Sequence, residues 1–421
     1  MICHVPVRLI CLTLLLITPV FWFGCDLNSR GEHSSESEEI FDKVTIPDID
    51  LNYDASRQVV VDREEGQYLG HVTTALLEDG QTVFAVYPKG HGRGPIVMKS
   101  SADGGYSWSD RLPTPDSWST SREVPTIHRV IDPSGVKRLI IWSGLYPARL
   151  SVSEDDGDTW SELSKAGDWG GIVVMGFVES LNTGKGHYIA MFHDDGRFIS
   201  GGPNEFWGSP AGEQTETFTL YQTFSKDGGR TWSYPEAVWS GDDIHLCEPG
   251  VVRSPDGKEL AVLLRENRRE KNSFVIFSED EGATWSEPRE LPLSLTGDRH
   301  VAKYGPDGRL FITFRGISPH DRRDARPFET DWVGWTGTYD DLVNGNEGQY
   351  VVRFKKNYPS SSGWEYDTAY AGLEVLPDGT FIGTTYGHWK EGEEPYIMSV
   401  RFRLDELDEL HGSLQSEKSD Y

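Results

Sequence analysis

SKDGGRTW, residues 225–232, recurs with small changes at three other places: SADGGYSW (101–108), SEDDGDTW (153–160) and SEDEGATW (278–285). Each copy carries the chemistry of a self-satisfied turn. Its aspartate (Asp103, Asp155, Asp227 or Asp280) can accept backbone N–H bonds within the loop, its glycines admit positive φ, its hydroxyls add local hydrogen bonds, and its tryptophan offers a ring to bury. A carboxylate engaged by its own turn has little accepting capacity left for a ligand, so the repeat reads as scaffold. The run DDGD at 155–158 invites the alternative of a calcium loop, but the ligand spacing and closing glutamate of an EF-hand are missing.

Between the boxes lies a second repeat: an apolar strand, a Gly-containing turn and another apolar strand. The six copies are HVTTALLEDGQTVFAVY (from His71), EVPTIHRVIDPSGVKRLIIW (from Glu123), GIVVMGFVESLNTGKGHYIAMF (from Gly171), EPGVVRSPDGKELAVLL (from Glu248), DRHVAKYGPDGRLFITF (from Asp298) and YAGLEVLPDGTFIGTTY (from Tyr370). A spacing of roughly fifty to seventy residues leaves room for two more strands after each hairpin, the length of a four-stranded propeller blade. The sequence therefore predicts an all-β, six-bladed β-propeller with four box turns. RQVVVD (57–62) and YIMSVRFRL (396–404) are placed to close the ring by sharing the last blade. No helical stripe of useful length is visible in the body.

Composition agrees and narrows the function. Of 421 residues, 45 are Gly, 23 are Pro and 12% are aromatic, which suits short strands and turns. A formal charge of −27 with no basic stripe excludes a nucleic-acid partner and repels anionic membrane over most of the surface. Cys3, Cys11 and Cys25 lie in the first segment and only Cys247 in the body, so the body has no disulfide framework and no cysteine metal site.

The first segment, residues 1–25, has one Arg, a short apolar run and Gly24 before Cys25, and resembles a bacterial lipoprotein export signal. Trp22 and Phe23 sit where smaller or aliphatic residues are usual, and an ordinary cleaved signal or an uncleaved anchor are the alternatives. Each of these sends the body out of the cytoplasm, to the periplasm or cell surface, with a lipid on Cys25 as the one membrane attachment expected. Residues 26–50 read as a disordered tether, 51–408 as the propeller and 409–421 as a polar tail.

In a propeller the functional side chains gather where hairpins start and end near the axis. The starts supply His71, Glu123, His245, Glu248, Arg299, His300 and Tyr370. The ends supply Lys89, His91, Arg93, His193, Asp194, Arg197, Arg265, Arg315, Tyr386 and His388. Six of these are histidines, which raises a metal question, but no tight local ligand motif is present, so neither metal nor cofactor is expected.

Four such boxes on six hairpins resemble the sialidase (neuraminidase) superfamily over about residues 57 to 404. AYAGLEVLPDGT is similar to that family's final-blade pattern Ala-Tyr-Ser-x-Leu-x-x-Leu-Pro-Asp-Gly, which implies Tyr370 as nucleophile. A phenol near pKa 10 needs a carboxylate base beside it. Glu248 in CEPGVVRSPDG resembles the family's glutamate for that task, and Arg265 in AVLLREN resembles the second of three arginines that grip a substrate carboxylate. For the third arginine, Arg315 ends a strand, while Arg322, Arg323 and Arg326 lie in the following loop.

The departures point to a pocket rebuilt around histidine. Where the family has Tyr-Arg-Ile-Pro, this chain has YLGHVTT, with Leu69 after Tyr68 and His71 toward the site. Where the family has its acid–base aspartate, PKGHGRGP offers His91, with Arg93 to supply positive charge. The resemblance thus implies an exported glycoside hydrolase acting on an anionic sugar of sialic or uronic acid type. Expected substrate-binding residues are Arg265, Arg315, Arg326, Arg93, His71, Arg299, His300, His193 and His388. A His/Tyr polysaccharide lyase acting on uronates, or a glycan-binding propeller without catalysis, are the other readings open to these residues.

Overall fold

The computed structural model describes residues 43–199, 217–360 and 366–419. The expected export segment and the tether as far as residue 42 lie outside the described residues. The six hairpins form the inner strand pairs of six sheets built outward in chain order, except that blade one stops at three strands and the outermost strands of blades five and six come from the N-terminal side. Their second strands are apolar along almost their whole length, as in Leu260–Glu266 and Leu310–Gly316. Such a strand is sandwiched between neighbouring blades, so both of its faces are buried and the alternation of a one-sided sheet disappears.

The ring closes as the sequence predicts. Gln58–Asp62 pairs antiparallel with Tyr396–Phe402 and completes the sixth blade from the N-terminal side. The last residues of the expected tether, however, join a blade. Asp48–Asp50 adds a parallel strand outside Tyr350–Lys355 in blade five, because Ile49 and Leu51 bury among Phe311, Tyr350 and Phe354 while Arg353 pairs with Asp50. The expected polar tail is helical over its described residues. Leu404–Ser419 is a helix whose Leu404 and Leu407 enter the same cluster, and Arg309 clamps Asp408 through two nitrogens.

The four boxes behave as scaffold, and they also join blades. In each, the aspartate accepts from the backbone and hydroxyl four residues on, as in Asp155 with Thr159 N (2.9 Å) and Thr159 Oγ1 (2.5 Å). Each box then docks on the preceding blade. A Cβ at Gly157 would sit 2.5 Å from Phe84 Cζ in blade one, and one at Gly282 2.5 Å from Ile189 Cδ1 in blade three. Both glycines have positive φ as well, so turn geometry and interblade contact select the same residue.

At the axis, several first strands begin on a residue with left-handed backbone: His71, Val173, Glu248 and Arg299 have φ between 53° and 57°. Register slips between Cys247 and Gly250 and between Asp298 and Val301. A bulge of this kind breaks strict alternation and turns a chosen side chain toward the hub.

Candidate active site

Two neighbouring groups meet at this hub. The first is built on Asp298, a fully buried carboxylate at the start of blade five. Arg315, its cross-strand partner, holds it through Nε (2.9 Å) and Nη2 (2.7 Å). Arg269, from the loop after Leu260–Glu266, reaches both its oxygens (2.5 and 2.6 Å), and Arg265 Nε lies 3.4 Å away. Arg265 also donates from Nη1 to Glu248 Oε1 at 2.7 Å, and the same oxygen takes the hydrogen bond of the Tyr370 phenol. Arg315 and Arg299 stand over the Tyr370 ring, with Cζ 5.5 and 5.9 Å from its centroid.

Electrostatics divides the Tyr370–Glu248 pair sharply. Burial pushes Glu248 up, but the Arg265 and Arg315 guanidiniums overcome this and leave it below the ordinary carboxylate range. Burial, reinforced by the Glu248 charge, drives the Tyr370 phenol well above its ordinary value. At neutral pH the proton therefore rests on the phenol, with an ionised acceptor already in contact.

The second group surrounds Asp367. Tyr68 donates to its two oxygens at 2.8 and 2.9 Å, Tyr386 donates at 3.0 Å, and His91 Nδ1 lies 3.3 Å off. His71 connects the groups, with its ring 4.6 Å from that of Tyr370 and its Nε2 3.2 Å from Tyr386 Oη. Burial, with the charge of His91 next, keeps His71 well below its ordinary pKa and hence neutral.

The structure thus brings Tyr370, Glu248, Arg265, Arg315, Arg299, His71 and His91 together, with Arg93 exposed in the loop that carries His91. His193 serves the site from below, its Nδ1 accepting the Glu248 backbone N–H at 3.3 Å. His388 lies behind Asp367, 3.7 Å from it, and Nδ1 donates to the Glu393 carbonyl. Arg326 and His300 are not brought to the cluster. Arg326 is buried on the Thr296 carbonyl and over the Phe314 ring, and His300 donates to the Leu295 carbonyl against that same ring. Neighbouring strand residues face opposite ways, so when Arg299 takes the axis His300 takes the core. Among the described residues no three His, Cys, Asp or Glu side chains gather with metal-ligand geometry.

Known proteins share parts of this chain and its fold. Residues 136–324 match the BNR repeat-like domain. A sialidase of Paraclostridium sordellii is 23% identical over 216 residues, 46% of this chain and 51% of that protein. An anhydrosialidase of Macrobdella decora is 26% identical over 279 residues, 62% of this chain and 32% of that protein. A Dyadobacter fermentans protein of unknown function superposes with TM-score 0.57 at 13% identity, covering 82% of this chain and 97% of that one. A Hadza microbial sialidase superposes with TM-score 0.54 at 16% identity, covering 80% and 66%. In part of its sequence and in its fold, the chain is similar to sialidases.

The match is partial, since the chain spans 51% and 32% of the two curated relatives. Asp298, Arg269, Tyr68 and Asp367 are the members of this cluster that sequence reading did not select. Asp298 had a usable signal, for it opens hairpin five opposite Arg315. Asp367 stands three residues before Tyr370, outside every strand pair, and only the folded chain reveals its neighbours.

Proposed function

We propose that this chain is an exported, sialidase-type glycoside hydrolase acting on an anionic sugar of sialic or uronic acid type, with Tyr370 as nucleophile and Glu248 as its base. The observation that carries the reading is the shared Glu248 oxygen: it accepts the Tyr370 phenol and is held by Arg265 at 2.7 Å. Tyr370 Oη bonds to the anomeric carbon while the glycosidic C–O bond breaks, Glu248 takes the phenolic proton, and His91 gives a proton to the departing oxygen. Water then attacks the glycosyl-tyrosine, His91 takes a proton from it, and Glu248 returns its proton to the phenolate.

Two features suit an anionic sugar. A phenol attacks without the repulsion that a carboxylate nucleophile would meet. The guanidiniums of Arg265, Arg269, Arg299 and Arg315 outnumber the carboxylates of Glu248 and Asp298, so the pocket keeps a positive surplus for a substrate carboxylate. Elimination by a His/Tyr pair is less favoured, because His71 Nδ1 already accepts the Gly92 N–H at 3.1 Å.

The test is a panel of sialosides and uronate glycans read by product mass. Products that together gain one water support hydrolysis. Cleavage without that gain means elimination, and intact saccharide recovered from the protein means binding alone.

A further inference from the structure

Asp367 is 5% exposed and immediately precedes the short bridge, Thr368 to Gly387, that leads into Tyr370. Proton accounting fixes the direction of every bond around it. An ionised carboxylate only accepts, so Tyr68 and Tyr386 both donate to it. Tyr386 has then used its one proton, and the 3.2 Å contact with His71 must run from His71 Nε2–H to the phenol oxygen. This agrees with His71 Nδ1 accepting from Gly92. Tyr68 is in the same position. Its 2.9 Å contact with His91 must therefore run from His91 Nδ1–H, which also faces Asp367 Oδ1 at 3.3 Å. The remaining proton site of His91 is Nε2, on a side chain 56% exposed.

We propose that Asp367 is the positioning carboxylate of the acid–base step: with Tyr68 it fixes His91 as the Nδ1–H tautomer and stabilises the imidazolium that passes its Nε2 proton to the leaving oxygen. The inference rests on the hydrolase reading above. The charge is in place across the working range. Burial raises the Asp367 carboxyl, but His388, His91 and His71 outweigh this and hold it far below the ordinary carboxylate range. The segment that presents the nucleophile thereby also anchors the acid, and the two are delivered in fixed relation.

The experiment compares Asp367→Asn with wild type on two substrates that share one sugar. These are 4-methylumbelliferyl N-acetylneuraminide, whose phenol departs with little help, and sialyllactose, whose sugar oxygen needs a proton. The variant should lose on the order of 100-fold in kcat/KM on sialyllactose and under about threefold on the aryl glycoside. Should the buried asparagine prevent folding, Tyr68→Phe, which removes one oxygen and no charge, should show the same asymmetry in weaker form. Nitrogen-15 spectra of the histidine rings should place the His91 proton on Nδ1 in wild type. A proton on Nε2, or equal losses on both substrates, overturns the inference. Turnover that survives Tyr370→Phe overturns the nucleophile reading instead, and the leaving-group comparison still decides the acid.

Discussion

The Tyr370 phenol donates to Glu248 across 122 residues of chain, onto the oxygen that Arg265 also reaches. Glu248 is a weakened base and Tyr370 a weakened acid, so the proton does not move in the resting site. In the proposed reaction it moves when the phenol oxygen begins to bond to carbon and its acidity rises. The pair is thus quiet without substrate and competent with it.

Replacing Tyr370 by Phe removes the oxygen proposed to form the bond and leaves the ring that packs near His71. Turnover should fall by at least about 1000-fold, with binding of the sugar changed less than about tenfold. Steady-state kinetics together with calorimetric titration checks both halves.

Asp298 is the hub of three guanidiniums, and removing its charge leaves them buried against one another. Asp298→Asn should lower the unfolding free energy by about 3–5 kcal/mol and, although it adds to the positive surplus, weaken binding of carboxylate-bearing sugars more than neutral ones because the guanidiniums lose the anchor that positions them. Urea unfolding and paired binding titrations test it. Stability equal to wild type would mean that the arginines do not depend on this carboxylate.

The fold was legible because a repeat multiplies weak signals. One box is a turn, whereas four boxes between six hairpins define blades, and the strand starts and ends followed. That rule reached Tyr370, Glu248, Arg265, Arg315 and both His71 and His91. It could not reach Arg269, which sits in RENRREK, a charge run of the kind usually solvated. Nor could it reach Asp367, an isolated acid in a loop whose partners come from three other segments. It overreached at His300, which turns to the core beside Arg299, and the family resemblance overreached at Arg326, a loop arginine that turns inward onto a carbonyl. Local pattern sets where strands begin; which side chains then meet depends on bulges and loop paths.

Burial pushes His193 down to about 3, against an unfolded value of about 6.5. Between these values the unfolded chain binds the extra proton. The stability due to neutral His193 is therefore complete above about pH 6.5 and is lost as pH falls toward 3. His193→Asn, whose amide oxygen can still accept from Glu248 N, should flatten the acid-side slope of unfolding free energy by up to about 1.4 kcal/mol per pH unit. Identical slopes for the two proteins would contradict the assignment.

The box glycines should tolerate no side chain. Gly157→Val would combine a left-handed backbone with a clash on Phe84, and a loss of about 1–3 kcal/mol is expected from crowding alone. Exposed Gly135, which has open space around its Cβ position, is the control for backbone strain by itself. Thermal unfolding of the two valine variants separates the contributions.

The most direct trial of the account is to catch the nucleophile. A 3-fluorinated glycosyl fluoride of sialic acid loads the enzyme while slowing release, because fluorine destabilises the positively charged transition state of the second step. Peptide mass spectrometry should find one fluorosugar on the peptide that contains Tyr370, attached to that residue and absent from Tyr370→Phe. Catalytic turnover with Tyr370 unmodified, or the sugar attached to another side chain, would contradict it.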